Sequence, residues 1–155
     1  MSHDLKVIQT DKQGQYQSLF PQIQSLLKAE TDEIANMANL VAALKTQFNW
    51  HWVGFYLVKN DELVLGPFQG PIACTRIAFG KGVCGQAWQQ QQTLRVADVN
   101  QFPGHIACSS LSQSEIVVPI FNDGKICAVL DVDSEYLNHF DSIDEFWLNK
   151  IAGLL

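Results

Sequence analysis

Apolar positions recur along this chain first at helical spacing, then in alternation, then at helical spacing again. Residues 1–15 are polar and aperiodic and read as a loose lead-in. From residue 16 to 28, Tyr16, Leu19, Ile23, Leu26 and Leu27 fall on one helical face. Pro21 suits only the first turn of such a helix, because further in it removes a backbone donor. Thr31-Asp32-Glu33 supplies a cap, and acids for the positive end, of a second helix with the stripe Ile34, Met37, Val41, Leu44 and Phe48.

At Trp50 the period changes to two. Trp50, Trp52, Gly54, Tyr56 and Val58 share one face of a strand, and His51, Val53, Phe55 and Leu57 share the other. Gly54 leaves open space between Trp52 and Tyr56, a mark of close approach by a ligand or another backbone. A turn over residues 59–62 returns the chain through 63–68 as a hairpin. Residues 72–79, carrying Cys74, read as a short strand, 80–91 as a glycine-rich turn and short helix, and 93–99 as strand again. Residues 100–113 form a long loop holding Cys108, and long loops in compact domains are often functional.

Residues 115–121 and 125–133 form a hairpin across Asn122-Asp123-Gly124, and loop length decides what faces what. A two-residue Asp-Gly turn would set Glu115 opposite Val132; a three-residue loop with Gly124 left-handed sets it opposite Asp131. The second register gives cleaner faces. It makes one aliphatic face from Ile116, Val118, Ile120, Ile126, Ala128, Leu130 and Val132, and gathers Glu115, Asp131 and Asp133 on the other. Asp141 or Ser142 starts a closing helix, with Glu145 completing a capping box behind Ser142 and a stripe of Ile143, Phe146, Trp147, Ile151 and Leu154. Helices around about six strands in hairpins predict an α+β fold. Its central antiparallel sheet carries the N- and C-terminal helices on one face and leaves the other for a ligand.

The chain's 155 residues suit one domain, and 47% hydrophobic against 17% charged residues excludes a disordered chain. Net charge is −6 and no basic run follows a phosphate backbone, which argues against nucleic acid and is compatible with a cationic or zwitterionic ligand. Apolar runs are strand-length and the N-terminus lacks an apolar signal core. The expectation is a cytoplasmic protein with no membrane association, whose thiols stay reduced. Its four cysteines stand at 74, 84, 108 and 127 without a Cys-x-x-Cys pair, so neither a zinc knuckle nor a thioredoxin motif is written.

Carboxylates are depleted from strands and costly to bury unpaired, so Glu115, Asp131 and Asp133 together mark a pocket. Cys108, in the loop just before them, is the thiol placed to act in it. Gly70-Pro71-Ile72-Ala73-Cys74 is echoed by Gly104-His105-Ile106-Ala107-Cys108, which suggests that the two thiols face each other. Cys127, inside an apolar strand, reads as a small core hydrophobe. Gly-x-Gly-x-x-Gly at 80–85 follows hairpin strands and not the first turn of a parallel unit, so its glycines turn backbone around Cys84 and are not a dinucleotide fingerprint. A metal set of Cys74, Cys84, Cys108 and His105 lacks ligand spacing, and a Cys108–His105 hydrolase pairing rests on sequence proximity. No metal or organic cofactor is expected.

As a set, seven segments resemble the free methionine-(R)-sulfoxide reductases, single-domain enzymes of the GAF fold. They are Trp52-Val53-Gly54-Phe55-Tyr56, Leu65-Gly66-Pro67-Phe68-Gln69-Gly70, Ile72-Ala73-Cys74, Gly80-Lys81-Gly82-Val83-Cys84-Gly85, Gly104-His105-Ile106-Ala107-Cys108, Ser114-Glu115-Ile116-Val117 and Leu130-Asp131-Val132-Asp133-Ser134. The resemblance runs in order over residues 48–155; the N-terminal helices match in pattern alone. It implies one GAF domain over residues 1–155 and a nucleophile at Cys108. Cys74 and Cys84 match the two other family cysteines, with Cys74 the choice for resolving thiol. It implies Glu115, Asp131 and Asp133 as the carboxylates that hold substrate, and Trp52 and Tyr56 as its aromatic wall. Ser109 stands where the family usually has Asp, and the missing negative charge favours the Cys108 thiolate.

The chemistry fits the residues independently. Free methionine sulfoxide offers an ammonium to carboxylates and a methyl to indole and phenol rings. Thiolate attack on the sulfoxide sulfur, with a proton from one of the crowded acids, would give methionine and a sulfenic acid at Cys108. A second cysteine would close a disulfide, and the family implies thioredoxin as its reductant. The rival reading is a non-catalytic GAF sensor of a small ligand, against which stand three spaced cysteines and a chain with no room for an output domain. Oligomeric state is left open, a homodimer included.

Overall fold

The computed structural model describes residues 4–106 and 108–155. Helix α1, Lys12–Lys28, begins where the Asp11 side chain accepts from the Gly14 amide, four residues before the apolar stripe predicts. Pro21 therefore lies inside the helix and not in its first turn. The lost backbone bond is offset by a buried face of Tyr16, Leu19, Phe20, Ile23 and Leu27. The expected lead-in begins outside the described residues, and its described part, residues 4–11, is not loose. Gln22 exchanges two hydrogen bonds with the backbone of Lys6, and the Gln47 amide donates to Ile8 O at 2.8 Å.

Helix α2, Glu33–Phe48, is capped by Asp32 and stopped by Asn49 in the left-handed region. Ile34 is exposed, and Leu40 takes its place in the buried face. Trp50 follows before any strand begins. It stacks on Phe48 at 4.4 Å and joins the helix-side core, not the face of Trp52 and Tyr56. Alternation starts only with β1, Trp52–Lys59.

The remaining strands are β2 Glu62–Gln69, β3 Arg76–Ala78, β4 Leu94–Val96, β5 Ser114–Asn122 and β6 Lys125–Ser134. They form one antiparallel sheet in the order β3-β2-β1-β6-β5-β4. Strands β3 and β4 are shorter than the sequence predicts, and Cys74 lies in irregular chain before β3. Pro67 sits in β2 where the pairing with β1 shifts register, which is where a missing N–H is tolerated.

The β5–β6 hairpin differs from both predicted registers. Asn122 pairs Lys125 across a two-residue turn, with Asp123 and Gly124 both at positive φ. The extra residue is instead in β6: Phe121 pairs Ile126 but Ile120 pairs Ala128, leaving Cys127 as a bulge. Glu115 consequently faces Asp133, and Val117 faces Asp131. The bulge shifts pairing by an even step from the expected register, so nearly every residue keeps its predicted face. Ile126 is the exception: it packs on the site side, while Cys127 packs against the helix-side core.

Helices α1, α2 and α4 (Ser142–Ala152) cover one sheet face through Val53, Phe55, Ile116, Val118, Ile120, Leu130 and Val132. Helix α3, Gly82–Gln90, and the loop over residues 97–113 lie over the other. Phe146 of the predicted α4 stripe is exposed, and Leu148 is buried in its place. Among the described residues, no helix is long and apolar enough to cross a membrane.

Asp141 caps α4, and Asp144, not Glu145, closes the capping box. Asp144 is also the polar joint between the two ends of the chain. It is buried and accepts from Tyr16 Oη and Lys12 Nζ, each at 2.6 Å. Replacing Asp144 by Ala removes the box and leaves a buried phenol unmatched, while Lys12 keeps Asp141 and the carbonyl of His139. The expected cost is about 3 kcal/mol, against about 1 kcal/mol for Asp141→Ala at the cap alone. Urea unfolding of the two variants checks the difference.

Candidate active site

The site lies on the sheet face away from the three long helices, and adjacent strands supply its floor. Glu115 and Asp133 are cross-strand partners, and Asp131 lies one pair further in, opposite Val117. Residues two apart on β6 share a face, which brings all three carboxyls together. Glu115 and Asp131 each keep only 6% of their surface. The first turn of α3 adds Cys84, buried, whose thiol points at Glu115 Oε2 from 4.0 Å. Ser112 Oγ donates to Asp133 Oδ1 at 3.1 Å. The Oδ1 atom of Asp131 is buried with no hydrogen-bond partner.

Burial pushes all three carboxyls above the usual carboxylate range. The negative charge of Asp131 pushes Glu115 and Asp133 further in the same direction. Burial, and then the same acids, raise the Cys84 thiol. The floor therefore holds protons where an exposed acid would have lost them.

Trp52 and Tyr56 form the wall, with ring centroids 5.9 Å apart. Trp52 also stacks on Phe68 at 5.3 Å, over Gly54. An added Cβ at Gly54 would come within 2.6 Å of the Trp52 indole, so the space left by this glycine is filled by indole and not by a ligand. The polar tips of both rings are engaged: Trp52 Nε1 donates to Pro71 O at 3.1 Å and Tyr56 Oη to Cys74 O at 2.9 Å. Burial raises the Tyr56 phenol, which keeps it a donor. The wall thus holds the segment that carries Cys74.

Cys74 and Cys108 are joined by a disulfide with Cα atoms 5.6 Å apart, so the two echoed segments do meet. Cys108 is at the exposed rim and lines the same pocket as Trp52, Tyr56, Cys84 and the three acids. His105 lines the rim half-buried, and burial lowers its pKa.

A family model describing the GAF domain matches residues 30–155. The chain is 62% identical to GAF domain-containing protein A of Dictyostelium discoideum, over 100% of this chain and 99% of the relative. It is 44% identical to the free methionine-R-sulfoxide reductase of Escherichia coli, over 90% of this chain and 86% of that one. The crystal structure of free methionine-R-sulfoxide reductase from Neisseria meningitidis in complex with its substrate superposes with a TM-score of 0.97. That protein is 55% identical, and the match covers 99% of this chain and 93% of the other. The chain belongs to the free methionine-R-sulfoxide reductase family of GAF domains, a family of oxidoreductases.

In this family member two site residues escape sequence reading. His51 presents Nε2 to Ser109 Oγ at 3.0 Å and Nδ1 to Glu135 Oε1 at 3.1 Å, tying the residue after Cys108 to the end of β6. Period-two alternation counted from Trp50 sends His51 to the helix face; because the strand begins at Trp52, that alternation does not reach it. Ser112 carries no pattern at all and is found only through its bond to Asp133.

The raised carboxyls fix the sign of a pH effect. A buried acid that keeps its proton in the fold and loses it on unfolding makes stability fall as pH rises above the ordinary carboxylate range. Asp131→Asn removes one such group without removing its volume. The variant is expected to be more stable than the parent by about 1–2 kcal/mol near neutral pH, with the gain vanishing below the ordinary carboxylate range. Thermal unfolding of both proteins across that window checks it; a gain that grows on acidification contradicts the assignment.

Proposed function

We propose that this chain reduces free methionine (R)-sulfoxide to methionine as a single cytoplasmic GAF domain, with Cys108 as nucleophile and thioredoxin as the final reductant. The observation that carries the reading is the Cys74–Cys108 disulfide at the rim of a pocket floored by three carboxyls whose ionisation is disfavoured by burial. The bridge is the state such an enzyme reaches after one turnover. Two relatives that match along most of this chain are named for this substrate.

The substrate ammonium lies against the acids, where the buried Oδ1 of Asp131 lacks a donor. The methyl and sulfur rest on the Trp52 and Tyr56 rings. In the reduced enzyme the Cys108 thiolate forms a bond to the sulfoxide sulfur. Glu115, Asp131 or Asp133 gives a proton to the sulfoxide oxygen, which leaves with Cys108 as a sulfenic acid while methionine departs with the electron pair. The Cys74 thiol then displaces that oxygen as water and closes the disulfide. Thioredoxin returns two electrons and two protons. Cys84, enclosed by acids that disfavour its thiolate, serves as a neutral donor to Glu115 and forms no bridge.

Cys108→Ser is expected to abolish consumption of methionine sulfoxide. Cys74→Ser is expected to retain one turnover and to stop there, with one oxygen added to Cys108 by mass spectrometry. Full turnover by Cys108→Ser would overturn the assignment, and ligand binding without turnover by the parent would leave a sensor.

The hydrogen bond from Tyr56 to Cys74 O gives a finer test. Tyr56→Phe frees the Cys74 segment while keeping the ring. Disulfide closure after a single turnover is expected to slow by about 3- to 10-fold, measured by quenched-flow alkylation, with sulfenic acid accumulating in the interval.

A further inference from the structure

We infer that the pocket floor is also a binding site for a zinc-like divalent cation, held by Cys84, Glu115 and Asp131 in competition with the ammonium of the substrate. One ligand atom from each of the three lies within 4.8 Å of the others, and all three side chains are buried. Zinc–oxygen bonds of about 2.0–2.2 Å and zinc–sulfur bonds of about 2.3 Å put tetrahedral ligands about 3.4–3.6 Å apart. Cys84 Sγ and Glu115 Oε2 stand 4.0 Å apart, so closing on a metal asks a few tenths of an ångström of this pair.

The floor is unlike an ordinary acidic patch in two respects. It contains a sulfur, which selects zinc-like ions over calcium and magnesium, whose preferred ligands are oxygens. It also contains a buried carboxylate oxygen, Asp131 Oδ1, without a hydrogen-bond partner, on a residue that keeps 6% of its surface. Among the described residues, no lysine or arginine lines this pocket to pair with the acids. An accessible zinc site uses three protein ligands of these kinds, and all three residues line the pocket.

Binding displaces the thiol proton of Cys84, and any proton the two carboxyls hold, to solvent; no electrons move. A metal at this position takes the carboxylates that the ammonium needs, so free zinc would act as a reversible brake on the reductase. Metal binding itself does not depend on the function proposed above; the competition does rest on that reading.

The disulfide makes the experiment clean. With Cys74 and Cys108 bridged, the free thiols are Cys84 and Cys127, and Cys127 lies toward the helix-side core. Oxidised protein is titrated with Co2+ as the zinc probe, and thiolate-to-cobalt charge-transfer absorption is followed. The band is expected in the parent and in Cys127→Ser, and absent from Cys84→Ser. In Asp131→Asn it is expected to need about tenfold more metal or higher, with near-ultraviolet circular dichroism confirming that both site variants are folded. A missing band in the parent, or one that survives Cys84→Ser, overturns the metal site. Free methionine added to the cobalt form is expected to displace the metal; a band that methionine leaves unchanged overturns the shared position. Turnover of methionine sulfoxide by metal-free enzyme is measured separately, so failure of the functional reading is distinguishable from failure of the metal site.

Discussion

Three carboxyl groups share the open face of the sheet with no cationic side chain among them, and much else in the molecule answers to that fact. Acids buried this way are costly to ionise, so Glu115, Asp131 and Asp133 hold protons above their ordinary range. A surface arranged like this has two favourable futures: it accepts a cation, or it donates a proton. Reduction of a zwitterionic sulfoxide uses both, because the ammonium needs negative charge while the departing oxygen needs a proton. On the function proposed, the same frustration that costs folding energy would supply binding and acid catalysis at one place.

The fold tolerates this cost because the two sheet faces are kept apart. The apolar contacts of β5 and β6 with the helix-side core come from one alternation phase, Ile116, Val118, Ile120, Ala128, Leu130 and Val132, joined by Cys127 at the bulge. The other phase is free to carry acids. Slipping β6 by one residue would turn Asp131 and Asp133 into that aliphatic core, so the cost of burying them there enforces the register. The Cys127 bulge then absorbs the mismatch between a two-residue turn and the register that the far end requires. It sits near the turn, away from the acids, where one extra residue disturbs little.

This parity explains what was legible. The α+β sheet, its helix-covered face and the gathering of the three acids follow from alternation, which is insensitive to an even shift in pairing. The wrong turn length therefore still gave the right faces, and missed only Ile126. What alternation could not show was where a strand starts. Trp50 and His51 precede β1, and both were placed on the wrong face for that reason. Pro21 was misread because a rule about backbone donors was weighed without the tertiary burial that overrides it. Cys74 and Cys108 meet across 34 positions of sequence; the echo of their flanking residues was the one local sign of it.

The placement of Cys74 and Cys108 shows why two thiols on irregular chain can still react at a defined point. Neither belongs to a strand or helix, yet each is tethered within a residue or two to something rigid. The Cys74 carbonyl is held by Tyr56 and that of Pro71 by Trp52, both rings standing on β1. Ser109, beside Cys108, is held by His51, which Glu135 orients from the end of β6. Strands β1 and β6 are paired neighbours, with Trp52 opposite Asp133. Both cysteine segments are thus referred to the same two strands that build the floor. In the proposed reaction, sulfur that attacks in the pocket and then meets its partner needs freedom along one path and little elsewhere. Tethering the flanking residues, and leaving the thiols themselves untied to the frame, provides that freedom.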